Sequence, residues 1–380
     1  MEPAAGKKGT GGSQVLLSIQ ALRGLAVLAV VFIHIQLYYS GKLQRPDFLP
    51  QFNIGAASVD VFFVLSGFIM VYASERLFGQ PGGQRIYFLR RIARIVPMYW
   101  VATTIMLIYV IHQYGSVGNA TGGAGLTYVI CSYLFIPYGR PNDWGAPLLG
   151  VGWTLIFEIY FYTLFGFLVV WSRRAVVLTI AAFFVAVIAI GQIFPELPNP
   201  IAYWTHPLII EFAFGMAIAL AYRSGIRMPR ALAYPLVAAG LAGLFWSWRQ
   251  AHFFTPDSVE RVFVWGLPAL AIVSAFALSE RPVSRSTFWR VSGFFGDASY
   301  SLYLFHTLAL GVPMMFLGRY FDLASQPWLL LALILVATIV PGLLIYVFIE
   351  KPLTDYLQRR IEGTRRPQPA PVPLAATSPP

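Results

Sequence analysis

The stretch RGLAVLAVVFIHI, residues 23–35, is apolar enough to lie in lipid, yet an arginine opens it and a histidine stands near its end. Its flanks carry the apolar run from Val15 to Tyr39, more than the roughly 20 residues that cross a hydrocarbon core. Arg23 and His34 are eleven positions apart. On a helix that is three turns plus roughly 20°, so both side chains share one stripe, roughly 16 Å apart along the axis. Ionisable groups at membrane depth are expensive, roughly 2.5–3.5 kcal/mol for Asp, Lys or Arg on insertion scales, and mark function by default.

The rest of the chain repeats the apolar pattern. It has 380 residues, 57% hydrophobic and 11% charged, against about 25% charged in a soluble domain. Apolar runs predict about ten spans, at 15–40, 57–74, 95–112, 150–171, 175–194, 207–222, 231–248, 262–279, 297–317 and 328–349. The expected fold is therefore an all-α polytopic integral membrane protein. Residues 1–14 read as a cytoplasmic tail, 15–358 as the membrane-embedded unit, and 359–380 as a disordered, basic and Pro-rich cytoplasmic tail. The first span is too long for a signal-peptide core and reads as uncleaved.

The net charge of +11 lies in short loops between the spans, where it orients the protein rather than binding nucleic acid. Lys7 and Lys8, the cluster Arg76 to Arg94, Arg173 and Arg174, Arg223 to Arg230, Arg281 to Arg290, and Arg359 to Arg366 all fall on one side only if 113–149 stays on the other. Segment 126–137, LTYVICSYLFIP, is then a re-entrant or interfacial piece of the outer face, and both termini are cytoplasmic. Lys42 and Arg45 run against this scheme. The lone Cys131 excludes an internal disulfide. The five histidines lack metal-ligand spacing and no G-x-S-x-G elbow occurs, so neither a metal centre nor a serine triad is expected.

A short inventory of ionisable groups falls inside the predicted spans: His34, Asp60, Glu158, Glu211 and His306. His34 is about 9 Å from the outer end of its span and Glu158 about 12 Å from the same end. A carboxylate beside a buried imidazole makes a general base, so Glu158 is expected to orient His34. Thr154, Glu158 and Tyr162 form a polar stripe at spacing four; Ser299, Tyr303 and His306 form another. Trp153 suits the interfacial belt. Arg91 and Arg94 share a helix face at the inner membrane surface, near Arg23. Guanidiniums so placed either anchor the helix or fork onto phosphates.

Six segments in order resemble the membrane-bound acyltransferase family 3. They are SIQALRGLAVLAVVFIH, SVDVFFVLSGFIM, RRIARIVPMYW, GVGWTLIFEIYFY, EFAFGM and DASYSLYLFH, with IEKPL near the end. The likeness runs from about Ser18 to Leu353 and is nearest to exopolysaccharide and O-antigen O-acetyltransferases. It implies His34 as the catalytic histidine; Glu158 and Asp60 match acidic positions of the family, and Glu158 is expected to be catalytic as the partner of His34 on the depth argument above. It implies Arg23, Arg91 and Arg94 as the site of an acyl-CoA donor, acetyl-CoA in particular, with no metal. Asp60, Trp153, Tyr162, Glu211, Tyr303 and His306, drawn from the polar inventory and stripes above, are the expected substrate-cavity residues. The implied acceptor is a glycan or lipid-linked glycan, and the implied location a bacterial inner membrane. The residues alone also fit acyl transfer to a macrolide or other small hydrophobic alcohol, and a glycan or lipid transporter or flippase. Direct attack by the acceptor and an acyl-histidine fit them equally, and they do not specify an oligomeric state.

The topology has a direct check. Cysteines placed at Ser116 and Asn142, in a Cys131-free background, should react with an impermeant reagent from the same side of the membrane. Labelling from opposite sides would mean that 126–137 crosses.

Overall fold

The computed structural model describes residues 10–43, 54–121, 123, 125–138, 145–249, 259–279, 286–320 and 327–363. Lys7, Lys8, Arg45, Asn142, Arg281, Arg285 and the Pro-rich tail after Gly363 lie outside the described residues. Helix follows helix, with no strand among the described residues. Helices α1 (Thr10–Leu43), α2 (Ile54–Ala73) and α3 (Gly83–Tyr114) come first. The short α4 (Val117–Thr121) and α5 (Gly125–Tyr133) lead to α6 (Trp153–Leu168) and α7 (Arg173–Ile193). Then come α8 (Ile201–Trp204), α9 (Ile210–Arg223), α10 (Arg230–Arg249), α11 (Val259–Arg261) and α12 (Leu267–Leu278). The chain closes with α13 (Thr287–Asp297), α14 (Ser299–Tyr320), α15 (Pro327–Ile345) and α16 (Lys351–Gly363). π-helical turns at Val262–Gly266 and Tyr346–Glu350 join α11 to α12 and α15 to α16.

Among the described residues, eight helices are long and apolar enough to cross a membrane. The two further predicted spans, 231–248 and 297–317, coincide with α10 and α14, which have 20 and 22 residues. This is a polytopic membrane protein. Large apolar side chains such as Leu178, Val185 and Phe348 stand on its outside, as a lipid solvent allows. Segment 126–137 forms the nine-residue α5. At 1.5 Å per residue it covers about 13 Å, less than half a hydrocarbon core. Its backbone is tied to α3: Tyr99 donates to the Ser132 carbonyl at 2.9 Å and Trp100 to the Tyr133 carbonyl at 3.0 Å.

Lipid tails are as apolar as leucine, so helices in a membrane associate by close packing and polar contacts rather than by hydrophobic burial. Small residues make that possible here. A Cβ on Gly215 of α9 would come within 1.9 Å of the Val64 carbonyl oxygen of α2. A Cβ on Gly296 of α13 would stand 1.9 Å from the Gln20 carbonyl oxygen of α1. Both pairs thus touch backbone to backbone. Aromatic rings fill the space where α2, α6 and α9 meet: Phe63 and Phe212 lie 4.8 Å apart, Phe161 and Phe212 4.6 Å, and Phe157 stacks on Tyr203 at 4.1 Å.

The backbone contact at Gly215 generates a prediction. Gly215→Val should prevent accumulation of folded protein in membranes, because neither backbone can yield. Gly150→Ala, with nothing near the added methyl, should accumulate like the wild type. Equal levels of folded protein for both variants would contradict the packing described.

Candidate active site

Four helices bring the first stripe of polar residues together. Arg23 of α1, Ser66 of α2, Arg91 and Arg94 of α3, and Thr154, Glu158 and Tyr162 of α6 line one cavity of about 90 Å³. Ser299, Tyr300 and Tyr303 of α14 complete its wall, with Phe62, Phe63 and Met70 as the apolar part. The i, i+4 register of α6 explains why Thr154, Glu158 and Tyr162 point the same way. The i, i+3 register of α3 does the same for Arg91 and Arg94.

Within the cavity the single carboxylate is engaged by hydroxyls. Ser66 donates to Glu158 Oε1 at 2.6 Å, and the Tyr162 hydroxyl donates to the same oxygen. The guanidiniums are held otherwise. Arg23 donates to Gln20 Oε1 at 2.9 Å and to Ser299 Oγ at 2.7 Å, which ties α1 to α14. Arg91 lies over the rings of Tyr87 and Tyr162, 5.8 and 5.6 Å from their centroids, and its buried Nε has no partner. Among the described residues neither Arg91 nor Arg94 forms an ion pair. Both also line a second cleft of about 220 Å³, with Tyr87, Arg90, Gln358 and Glu362. Arg90 pairs with Glu362 at 3.1 Å at its edge. The two arginines therefore stand where an open cleft meets the inner cavity.

His34 is elsewhere. Its Nδ1 bonds to the Val30 carbonyl at 2.9 Å, and its ring meets that of His306 edge-on, centroids 4.7 Å apart at 71°. The expected pairing of His34 with Glu158 does not occur. Equal depth along two helices leaves the direction of each side chain open. Here α1 packs against α2, α12, α13, α14 and α15, and α6 against α2, α3 and α7. Tyr303 lies between the two groups: it bonds to Thr154 at 2.7 Å, and its ring centroid is 6.0 Å from that of His306.

Of the remaining expected cavity residues, Tyr162 and Tyr303 lie on the wall, and Asp60, Trp153, Glu211 and His306 do not. Trp153 backs the wall through Phe63, centroids 6.5 Å apart, and its carbonyl accepts from Tyr203 at 2.5 Å. Asp60, fully buried, takes both arms of Arg261, at 3.1 and 2.8 Å; Arg261 is 4% exposed. Glu211 is buried in the same cluster, against Gly266. Sequence reasoning missed Arg261, which sits just before a predicted span, and Ser66, an ordinary small residue in a helix. It also missed Glu350, whose Oε2 accepts from the Ser301 backbone at 3.1 Å and hydroxyl at 2.5 Å. Among the described residues no group of His, Cys, Asp and Glu could hold a metal ion.

Comparison with known proteins narrows the chemistry. The profile of the acyltransferase 3 family, described as an acyltransferase domain, matches residues 16–347. The exopolysaccharide production protein ExoZ of Rhizobium meliloti is 32% identical over 308 residues, 80% of this chain and 90% of its own. Acyltransferase MdmB of Streptomyces mycarofaciens is 26% identical, over 93% of this chain and 96% of its own. Peptidoglycan O-acetyltransferase OatA of Listeria monocytogenes is 23% identical over 88% of this chain, which spans 55% of that protein. No solved structure matches.

The Asp60–Arg261 pair is expected to be structural. Asp60→Ala strands a buried guanidinium, which costs about 3–5 kcal/mol, and should lower the unfolding temperature in detergent markedly. Unfolding at the wild-type temperature would show that the pair bears no weight.

Proposed function

This chain belongs to the acyltransferase 3 family, and on that premise we propose that it is an O-acyltransferase of a bacterial inner membrane. It moves an acyl group, acetyl in the first instance, from cytoplasmic acyl-CoA to a sugar hydroxyl of an exopolysaccharide, O-antigen or lipid-linked glycan. One observation carries the donor assignment. Three guanidiniums face a cavity that holds one carboxylate, and two of them reach into the adjoining cleft. Arginine binds phosphate through two parallel hydrogen bonds, and such a surplus inside a membrane protein calls for an anionic ligand. The nucleotide phosphates rest in the cleft against Arg91 and Arg94, and the uncharged pantetheine arm passes into the inner cavity. The positive-inside rule applied to the basic clusters supports a cytoplasmic position for that end of the bundle, the side where acyl-CoA is made.

The names of the relatives support the acceptor class: one serves exopolysaccharide production and one acetylates peptidoglycan. Membership of an acyltransferase family removes the reason to read the buried charges as a transport path. His34 is the base. With Nδ1 donating to Val30, Nε2 keeps the lone pair that takes a proton from the acceptor hydroxyl. The hydroxyl oxygen then attacks the thioester carbonyl, and the departing thiolate takes the proton back from His34. Glu158 holds Ser66 and Tyr162 in place and balances one of the guanidiniums. Tyr303, on the cavity wall and in ring contact with His306, links the cavity to the histidine pair.

The test is isotope-labelled acetyl-CoA given to membranes that carry this chain and its host's polysaccharide. Label should appear in the glycan, and His34→Ala should lower its rate by about 10²–10⁴-fold while inserting normally. Arg91→Lys and Arg94→Lys keep the positive charge and should raise the KM for acetyl-CoA. Unlabelled glycan, or a His34→Ala rate equal to wild type, would overturn the reading.

A further inference from the structure

His306 is buried and takes no part in the cavity, yet it is the side chain in ring contact with His34. Its bonding fixes its tautomer. Nδ1 lies 3.1 Å from the Leu302 carbonyl and 2.8 Å from the Tyr303 carbonyl. Carbonyl oxygens only accept, so Nδ1 carries the hydrogen and Nε2 the lone pair. That Nε2 is buried and has no hydrogen-bond partner, an unusual state for a polar atom in a low-dielectric interior. The same reasoning applied to His34 leaves its own lone pair at Nε2. Two imidazoles, both protonated at Nδ1 by bonds to their own helices, thus meet ring to ring. Neither has a carboxylate among its hydrogen-bond partners.

We propose that His306 is the positioning residue of His34, holding its ring and supplying the unpaired Nε2 acceptor that stabilises the imidazolium formed during transfer. This rests on His34 being the base in the reaction proposed above. It gives His306 the place that sequence reasoning assigned to Glu158. In the step itself the acceptor O–H bond breaks and its proton goes to His34 Nε2. The oxygen–carbonyl bond forms, the carbon–sulfur bond breaks, and the thiolate leaves with the proton from His34. His306 ends the cycle unchanged. Its contribution is to the moment when His34 is charged, when a neighbouring lone pair in a low-dielectric interior has most effect.

The rate of label transfer from acetyl-CoA distinguishes this from simple packing. His306→Phe keeps a ring of similar bulk and loses the lone pair; it should lower kcat about ten- to a hundredfold, less than loss of the base itself, with the KM for acetyl-CoA unchanged. His306→Gln offers an acceptor oxygen near the Nε2 position and should recover much of the lost rate. If the Phe variant does not reach the membrane, His306→Met, an adaptable apolar side chain, takes its place in the comparison. A wild-type kcat in the Phe or Met variant, a defect confined to KM, or a Gln variant as slow as the apolar ones would overturn the proposal. His34→Ala measured alongside separates the two readings. Full activity there removes the base itself, whereas an inactive His34→Ala beside a fully active His306→Phe removes only the role of His306.

Discussion

A guanidinium cannot shed its proton, and in hydrocarbon it cannot be left to itself. Arg23, Arg91 and Arg94 nevertheless converge on a cavity whose one carboxylate, Glu158, is already engaged by Ser66 and Tyr162. Much of the architecture serves to keep these charges where they are. Arg23 is tethered to α14 through Ser299, and Arg91 is sandwiched by the rings of Tyr87 and Tyr162. On the function proposed above, the remaining positive charge is what would receive the anionic donor. Contrast the Asp60–Arg261 pair, where the guanidinium has a bidentate carboxylate partner.

Such a site needs a rigid frame, and the frame comes from close backbone contact. The α1–α13 approach at Gly296 sets the height of α1, and with it both Arg23 and His34, which that helix carries eleven residues apart. The α2–α9 approach at Gly215 fixes the helix that presents Ser66 and Phe63 to the cavity. The two π-helical turns fall beside buried charges, Arg261 before one and Glu350 at the end of the other. π-helical turns are frequent at functional positions of helices.

Helix class and the polar faces of single helices were legible from periodicity; that the faces of α3 and α6 meet in one cavity was not. Spacing alone placed Thr154, Glu158 and Tyr162 on one face, and Arg91 and Arg94 on another, because side chains four or three apart on a helix must neighbour each other. The short α5 was legible too, since a proline-ended run of twelve residues cannot span. What spacing does not carry is azimuth between helices. His34 and Glu158 reach comparable depth on the reasoning from helix rise, yet their helices do not pack, and Tyr303 and His306 fill the interval. Arg261 escaped notice because it stands one residue outside a predicted span, and only the fold reveals Asp60 opposite it. Ser66 and Glu350 act through neighbours far away in sequence, which no local pattern encodes.

The central claim is that the arginine surplus recognises the phosphates of a nucleotide-bearing thioester. Equilibrium binding of labelled acetyl-CoA to the purified protein in lipid nanodiscs, competed by CoA and by S-acetylpantetheine, tests it most directly. The account predicts saturable binding, displacement by CoA at similar concentrations, and far weaker displacement by S-acetylpantetheine, which keeps the arm and the thioester but lacks the nucleotide phosphates. Displacement by S-acetylpantetheine as effective as that by CoA would contradict it.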